Sequence, residues 1–180
     1  MRELTIKKIA EICNGKFYIG DKTQNQEISS ITTDSRKIEK DCMFVAIKGE
    51  RADGNKFIDK AYEDGALVCL SENEPDANDV NISENKGYIV VKSCFQALKD
   101  IAEFYREVMQ TKIVGITGSV GKTSTKEMLA SVMSEKFNTL KTQGNFNNEV
   151  GVPLTLFRLR EEHELAIVEM GISDFGEMSR

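Results

Sequence analysis

Residues 112–136 constrain this chain more than any other segment. A short apolar run, Ile113-Val114-Gly115-Ile116, empties into Thr117-Gly118-Ser119-Val120-Gly121-Lys122-Thr123-Ser124. A helix-compatible stretch follows from Thr125 to Lys136. Strand, glycine loop, Lys-Thr and helix, in that order, make the layout of a triphosphate cradle and commit the surrounding chain to alternating strands and helices.

A loop that wraps a triphosphate must bring successive backbone N–H groups close to its oxygens, and side chains obstruct that approach. Gly118 and Gly121 remove the obstruction and permit unusual φ values. The helix after Gly121 adds unpaired N–H groups and the positive end of its dipole. Lys122 is placed to reach the β- and γ-phosphates, and the Thr123 hydroxyl to sit on Mg2+. The strict pattern G-x-x-x-x-G-K-[ST] asks for glycine at 116, where this chain has Ile116. Gly115 is one place too early, so the usable pair is Gly118 and Gly121.

At 180 residues the chain suffices for one domain or two small ones. With 40% hydrophobic and 29% charged residues it reads as a globular protein. A net charge of −5 and no basic run give nucleic-acid binding no electrostatic support. No apolar stretch approaches membrane-spanning length, and the N-terminus Met1-Arg2-Glu3-Leu4-Thr5-Ile6-Lys7-Lys8 lacks a signal peptide's apolar centre. Cys13, Cys42, Cys69 and Cys94 lie far apart beside apolar segments and read as buried free thiols. A cytoplasmic location, where nucleoside triphosphates are available, fits all of this.

Along the chain, Thr5 caps a short helix carrying Ile6, Ile9, Ala10 and Cys13, stopped by Asn14-Gly15. Strands are expected at 28–31, 42–47, 66–70, 88–91, 112–117 and 165–168, the second of them buried on both faces. Helices are expected at 55–63, from Ser93 through Met109, at 123–136 with Met128, Leu129, Val132 and Met133 as its core face, and from Pro153 to Leu159. Residues 71–87 read as a polar surface loop. The fold class is therefore α/β with largely parallel sheets: a small first domain over residues 1–92, then the start of a phosphate-loop domain over 93–180. Two strands at most follow the cradle, fewer than a doubly wound nucleotide domain requires. The sequence accordingly reads as an N-terminal fragment with an incomplete second domain.

Other polar groupings keep more than one reading. Glu169 ends the apolar run Leu165-Ala166-Ile167-Val168 and is either a turn residue or a Mg2+ ligand; the Gly-Lys-Thr loop upstream favours the metal. Gly144-Asn145-Phe146-Asn147-Asn148-Glu149 packs three amides into four residues, as a structural or a binding loop. Thr33-Asp34-Ser35-Arg36 follows one strand, and Lys48-Gly49-Glu50-Arg51-Ala52-Asp53-Gly54 follows the next. Two such loops make either plain turns or one ligand cleft, with Arg36 suited to phosphate. His163, the only histidine, sits among Glu161, Glu162 and Glu164 in a solvated turn.

Taken together these blocks resemble the Mur ligases. Asp34-Ser35-Arg36 and Phe44 through Gly54 resemble that family's UDP-sugar domain. Thr117 through Thr123 resembles its ATP loop, which departs from the strict phosphate-loop pattern as this chain does. Gly144-Asn145-Phe146-Asn147-Asn148-Glu149-Val150-Gly151-Val152-Pro153 resembles the most type-specific block. Glu169-Met170-Gly171, with Gly176-Glu177, resembles the metal-binding glutamate region. The resemblance runs in order over nearly the whole chain.

The resemblance implies ATP-dependent peptide-bond formation in peptidoglycan synthesis, with D-Ala-D-Ala joined to UDP-MurNAc-tripeptide through an acyl phosphate. It implies catalytic roles for Lys122 and Glu169 and magnesium on Thr123 and Glu169. Thr117, Gly118, Ser119, Val120, Gly121, Lys122, Thr123, Ser124, Asn145 and Asn148 would surround ATP. Thr33, Asp34, Ser35, Arg36, Lys48, Gly49, Arg51, Asp53 and Gly54 would hold the UDP-sugar. A monomer without nucleic-acid or membrane partners is expected. Many family members carry a histidine after the glutamate, where this chain reads Ile172-Ser173-Asp174-Phe175, so no histidine role transfers. The family's carbamylated lysine and amine-receiving domain would lie beyond Arg180, so the chain alone should not turn over. Competing expectations are a Mur-type ligase adding the third residue and a phosphate-loop module without ligase chemistry.

Overall fold

Thr5 opens the first helix, α1 (Ile6–Ile12), by accepting a hydrogen bond from the Lys8 amide through its hydroxyl. Ile6, Ile9 and Ala10 form its buried face, and Asn14, at φ 48°, ends it. The chain then turns into an edge strand, β1 (Lys16–Ile19), which no local pattern had announced. The computed structural model describes residues 1–19, 23–49, 52–75 and 86–171. The chain divides into two compact units, Met1–Tyr105 and Arg106–Arg180.

In the first unit five strands form one sheet in the order β1-β5-β4-β3-β2, with β2 (Ile31–Thr32), β3 (Met43–Val45), β4 (Val68–Ser71) and β5 (Gly87–Val90). The last four run parallel, and β1 lies antiparallel on β5. β3 and β4 are buried throughout, hence their unbroken apolar sequence. A 3-10 turn (Gly54–Phe57) leads into α2 (Ile58–Glu63). Ile58, Ala61 and Tyr62 pack with Phe44, Cys69 and Tyr88, which alternation puts on one sheet face. Met43, Val45, Val68 and Leu70 alternate to the other face and are fully buried. The expected strand at 28–31 shrinks to Ile31–Thr32, because Ile28 and Ser29 spend their amides on Leu4 and Asp41 instead of on a neighbouring strand.

Helix α3 (Cys94–Met109) buries Leu98, Ile101, Ala102 and Tyr105 along the expected stripe. Its first turn is capped twice: Gln96 N donates to Ser93 Oγ at 3.3 Å, and Cys94 N to the Glu72 carboxylate at 2.8 Å. Most of this helix belongs to the first compact unit, which ends inside α3 at Tyr105.

The second unit has a three-stranded parallel sheet in the order β6-β8-β7, from β6 (Lys112–Ile116), β7 (Thr139–Lys141) and β8 (Leu165–Glu169). The central β8 is wholly buried. Helix α4 (Lys122–Ser134) covers it through Ala130, Leu129 and Met133, which pack with Ile116, Leu165 and Ile167. Met128 and Val132, expected in that core, are instead 71% and 68% exposed. At 100° per residue they fall opposite Lys126 and Ala130, and it is those two that face inward. A short helix, α5 (Gly151–Leu156), begins two residues before Pro153, which occupies its first turn where no amide is required.

Candidate functional site

The loop after β6 takes the backbone form that its glycines permit. Gly118 has φ +144° and Gly121 φ +79°, and Gly121 is the residue from which α4 starts. Nothing lies within 4 Å of a Cβ built on Gly121, so the demand for glycine there is conformational rather than steric. Lys122 bends back over the loop and donates to the Gly118 carbonyl at 2.6 Å. Its ammonium is thereby held against the loop backbone. Thr117, Ser119, Val120 and Ser124 are exposed around it, Val120 at 89%.

The parallel pairing of β6 with β8 sets Ile116 opposite Glu169, which delivers a carboxylate to the base of the loop. Glu169 is 1% exposed. Its Oε1 accepts from the Thr123 hydroxyl at 3.1 Å and from Asn147 Nδ2 at 2.9 Å. Its backbone amide donates to Oγ1 of the fully buried Thr142 at 2.9 Å. Burial alone would raise its pKa; the hydrogen bonds from Asn147 and Thr123 and the charge of Lys126 outweigh that and hold it below the usual carboxylate value. Oε2 is buried without a hydrogen-bond donor.

The asparagine block behaves differently from its simple reading. Asn147 is the amide that reaches the carboxylate, and its carbonyl accepts from Gly171 N at 2.6 Å. Asn148 turns toward α5, where its Oδ1 accepts from Gly151 N at 2.8 Å. Asn145 is exposed and contributes its backbone carbonyl to Asn147 N at 2.7 Å. Asn147 and Lys126 are thus neighbours of Glu169 that the sequence reading did not single out. His163 accepts from Arg160 N within its turn, as a capping residue.

Among the described residues no group of three or more His, Cys, Asp or Glu side chains stands ready to hold a metal alone. What is present is one carboxylate and one hydroxyl beside the glycine loop. That donor set suits Mg2+, which takes one or two protein oxygens and completes its shell with phosphate and water. The buried Glu169 carboxylate, held in its ionised form with Oε1 beside the Thr123 hydroxyl, fits a cation on that side.

In the first unit, the two polar loops leave the carboxyl ends of adjacent parallel strands, β2 and β3, the usual ligand side of such a sheet. Arg36 closes on Asp34 through two bonds of 2.8 Å, while Arg36 N donates to Asp34 Oδ1 at 3.1 Å. The Arg36 side-chain and backbone bonds pull the Asp34 carboxyl down to about 2. The Arg36 side chain is 85% exposed. Thr33 and Ser35 are half-buried beside it. In the second loop, the backbones of Lys48 and Asp53 pair in an isolated antiparallel β-bridge, and Gly49 N donates to the Ala52 carbonyl at 2.9 Å. Asp53 Oδ1 takes both amide groups of Asn55, at 3.0 and 2.7 Å, and Asn55 in turn accepts from the Ser71 hydroxyl at 2.6 Å. This relay ties the loop to the end of β4. Gly54 passes so close to Ile47 that a Cβ would lie 2.7 Å from its carbonyl oxygen. Arg51, with Glu50, lies outside the described residues.

Comparison with known proteins covers both units. A family model described as "Mur ligase family, catalytic domain" matches residues 27–106, and one described as "Mur ligase middle domain" matches 116–180. The UDP-N-acetylmuramoyl-tripeptide–D-alanyl-D-alanine ligase of Bacillus subtilis (strain 168) is 38% identical over 178 residues, covering 99% of this chain and 38% of the relative. A crystal structure of MurF from Acinetobacter baumannii superposes with TM-score 0.82 at 37% identity, over 97% of this chain and 37% of that one. MurF ligase from Thermotoga maritima in complex with ADP superposes with TM-score 0.72 at 32% identity, over 83% of this chain and 34% of that one. The chain spans little more than a third of the length of the curated relatives it matches, 38% in the first case.

Proposed function

The chain belongs to the Mur ligase family, and from that premise we propose that it forms the UDP-sugar-binding and ATP-binding parts of a UDP-N-acetylmuramoyl-tripeptide–D-alanyl-D-alanine ligase. The observation that carries the reading is the buried Glu169, which takes the Thr123 hydroxyl and the Asn147 amide on one oxygen beside the glycine loop that Lys122 bends over. The identities to relatives of that one specificity support D-Ala-D-Ala addition over addition of the third residue.

In this function a terminal carboxylate oxygen of UDP-MurNAc-tripeptide attacks the γ-phosphorus of ATP and ADP leaves. The amine of D-Ala-D-Ala then attacks the acyl carbon, and phosphate leaves with the former carboxylate oxygen. A carboxylate is a poor acyl donor, and phosphate is a good leaving group. Lys122 exchanges the Gly118 carbonyl for the β- and γ-phosphates, and the loop amides with the α4 N-terminus hold the remaining charge. Thr123 and Glu169 hold Mg2+, which supplies charge neutralisation on the phosphates. Asn147 fixes the carboxylate's plane, with Asn145 and Asn148 framing its loop. The Asp34-Ser35-Arg36 turn and the Lys48–Gly54 loop hold the UDP-sugar, Arg36 through diphosphate oxygens once it opens from Asp34. The substrates are cytoplasmic chemistry, and among the described residues no helix is long and apolar enough to cross a membrane. A monomer is sufficient for each site as drawn.

Calorimetry tests the reading. Binding of Mg2+ with ADP and, separately, of UDP-MurNAc-tripeptide is expected, with no preference for guanine nucleotides. Guanine preference without UDP-sugar binding would instead favour a phosphate-loop switch. Because the relatives are more than twice as long, the chain by itself is expected to bind and not to turn over; complete ligase turnover by these 180 residues would overturn that part.

A further inference from the structure

Lys126 sits one helical turn beyond Lys122 on α4, yet its side chain is 1% exposed. Taking an ammonium out of water costs several kcal/mol unless protein acceptors replace its hydration. Lys126 Nζ meets acceptors from separate elements: Glu127 Oε1 on its own helix at 3.2 Å, the Gly144 carbonyl at 3.4 Å, and Glu169 Oε2 at 3.5 Å. Glu127 is half exposed and also pairs with Lys141, so it needs no buried partner. Glu169 Oε2 does: it is buried with no hydrogen-bond donor, and the Lys126 ammonium is the charge that faces it.

We infer that Lys126 is a positioning residue for the carboxylate, acting through Glu169 and the asparagine loop together. By holding Oε2 and the Gly144 carbonyl, it leaves Oε1 turned toward Thr123 and keeps Asn147 seated over it. A carboxylate can take an ammonium on one oxygen and a cation on the other, so Lys126 orients the group without occupying the Thr123 side. The inference rests on the reading of Thr123 and Glu169 as Mg2+ ligands. It adds that the asparagine loop and the metal carboxylate are set by one side chain from the helix the phosphate loop opens.

The test is ADP binding by the full chain, measured by calorimetry in Mg2+ and in EDTA; the ratio of the two affinities is the readout. Lys126→Met keeps the side chain's length and removes its charge and donors. It is expected to leave ADP affinity in EDTA unchanged and to cut the Mg2+ enhancement by about tenfold, the usual cost of losing a partner behind a metal ligand. Lys126→Arg is expected to restore part of the enhancement. A folded Lys126→Met chain with the parent's enhancement, or a larger one, overturns the inference and leaves the metal reading standing. A parent chain with no Mg2+ enhancement overturns both. If Lys126→Met does not fold, the 15N ammonium resonance of Lys126 in the parent decides: it is expected to shift with ADP and Mg2+ and to stay still with ADP in EDTA. A resonance that Mg2+ does not move overturns the inference.

Discussion

Glu169 concentrates the chemistry of the second unit, and the residues touching it divide by what they do. Lys122 points at the loop and not at the carboxylate, so its loss and that of Glu169 should be separable. Lys122→Met is expected to weaken ADP binding with or without Mg2+, by about 1.5–3 kcal/mol for a lost bond to a charged group. Glu169→Gln is expected to weaken only the Mg2+-dependent part. Equal losses from both variants in EDTA would contradict the assignment. Lys122, Thr123 and Glu169 were legible because each stands in a local pattern with its own chemistry: a glycine loop, a helix start, a strand end. Asn147 was not separable from Asn145 and Asn148, because which amide of such a block turns inward depends on how Gly171 and Gly151 receive the loop. Lys126 was illegible for a different reason. Its burial comes from β8 and the Gly144 loop closing over it, and nothing near it in sequence carries that information.

At the scale of elements, the asparagine loop and α5 meet in a close backbone contact. Gly151 opens α5 against the Phe146 backbone, and a Cβ there would lie 2.5 Å from Phe146 Cα. No flexible side-chain end is available to give way. Gly151→Ala is expected to cost about 1–3 kcal/mol, as overpacking does, and to lower the melting temperature. Asn148→Ala removes the acceptor for Gly151 N and is expected to cost about 1 kcal/mol, as loss of a helix cap does. Asn147→Ala should instead lower the Mg2+-dependent ADP affinity, which separates the two neighbours by calorimetry. Helix α4 shows the limit of periodicity. Its apolar residues fall on two faces, and the sheet chose the one with Leu129, Ala130 and Met133. Met128→Gln is expected to change stability by less than about 0.5 kcal/mol in thermal melts of this chain, whereas Ala130→Gln should unfold it or nearly so. The central strands were legible as unbroken apolar runs, while β1 was not. It is an edge strand with alternating Lys16, Phe17 and Tyr18, and its partner Gly87–Val90 lies far along the chain.

Over the whole molecule the cysteines give a titration with a definite sign. Cys42, Cys69 and Cys94 are buried, and Cys13 Sγ reaches the Ala97 carbonyl between α1 and α3. Burial pushes Cys13 up to about 12 from the ordinary 9.0, with Asp100 and then Cys94 adding to it. Burial does the same to Cys94, where Glu72 adds to it, again to about 12. Cys69 also rises to about 12 by burial, partly offset by its hydrogen bond with Tyr62. Each thiol binds its proton more tightly folded than unfolded. The stability this contributes is therefore fully present below pH 9, and it is lost as pH rises toward 12. Thermal melts are expected to hold steady from pH 7 to 9 and to fall steeply above that. Tyr62, whose burial raises its pKa in the same sense, adds to the fall. Replacing the thiols isolates their share: Cys94→Ala should lower the melting temperature at pH 8 through its small cavity, yet show a shallower alkaline decline than the parent. An unchanged alkaline slope would mean that the first unit opens near these residues before they ionise, and that their packing is looser than the 0% exposure of Cys69 and Cys94 implies.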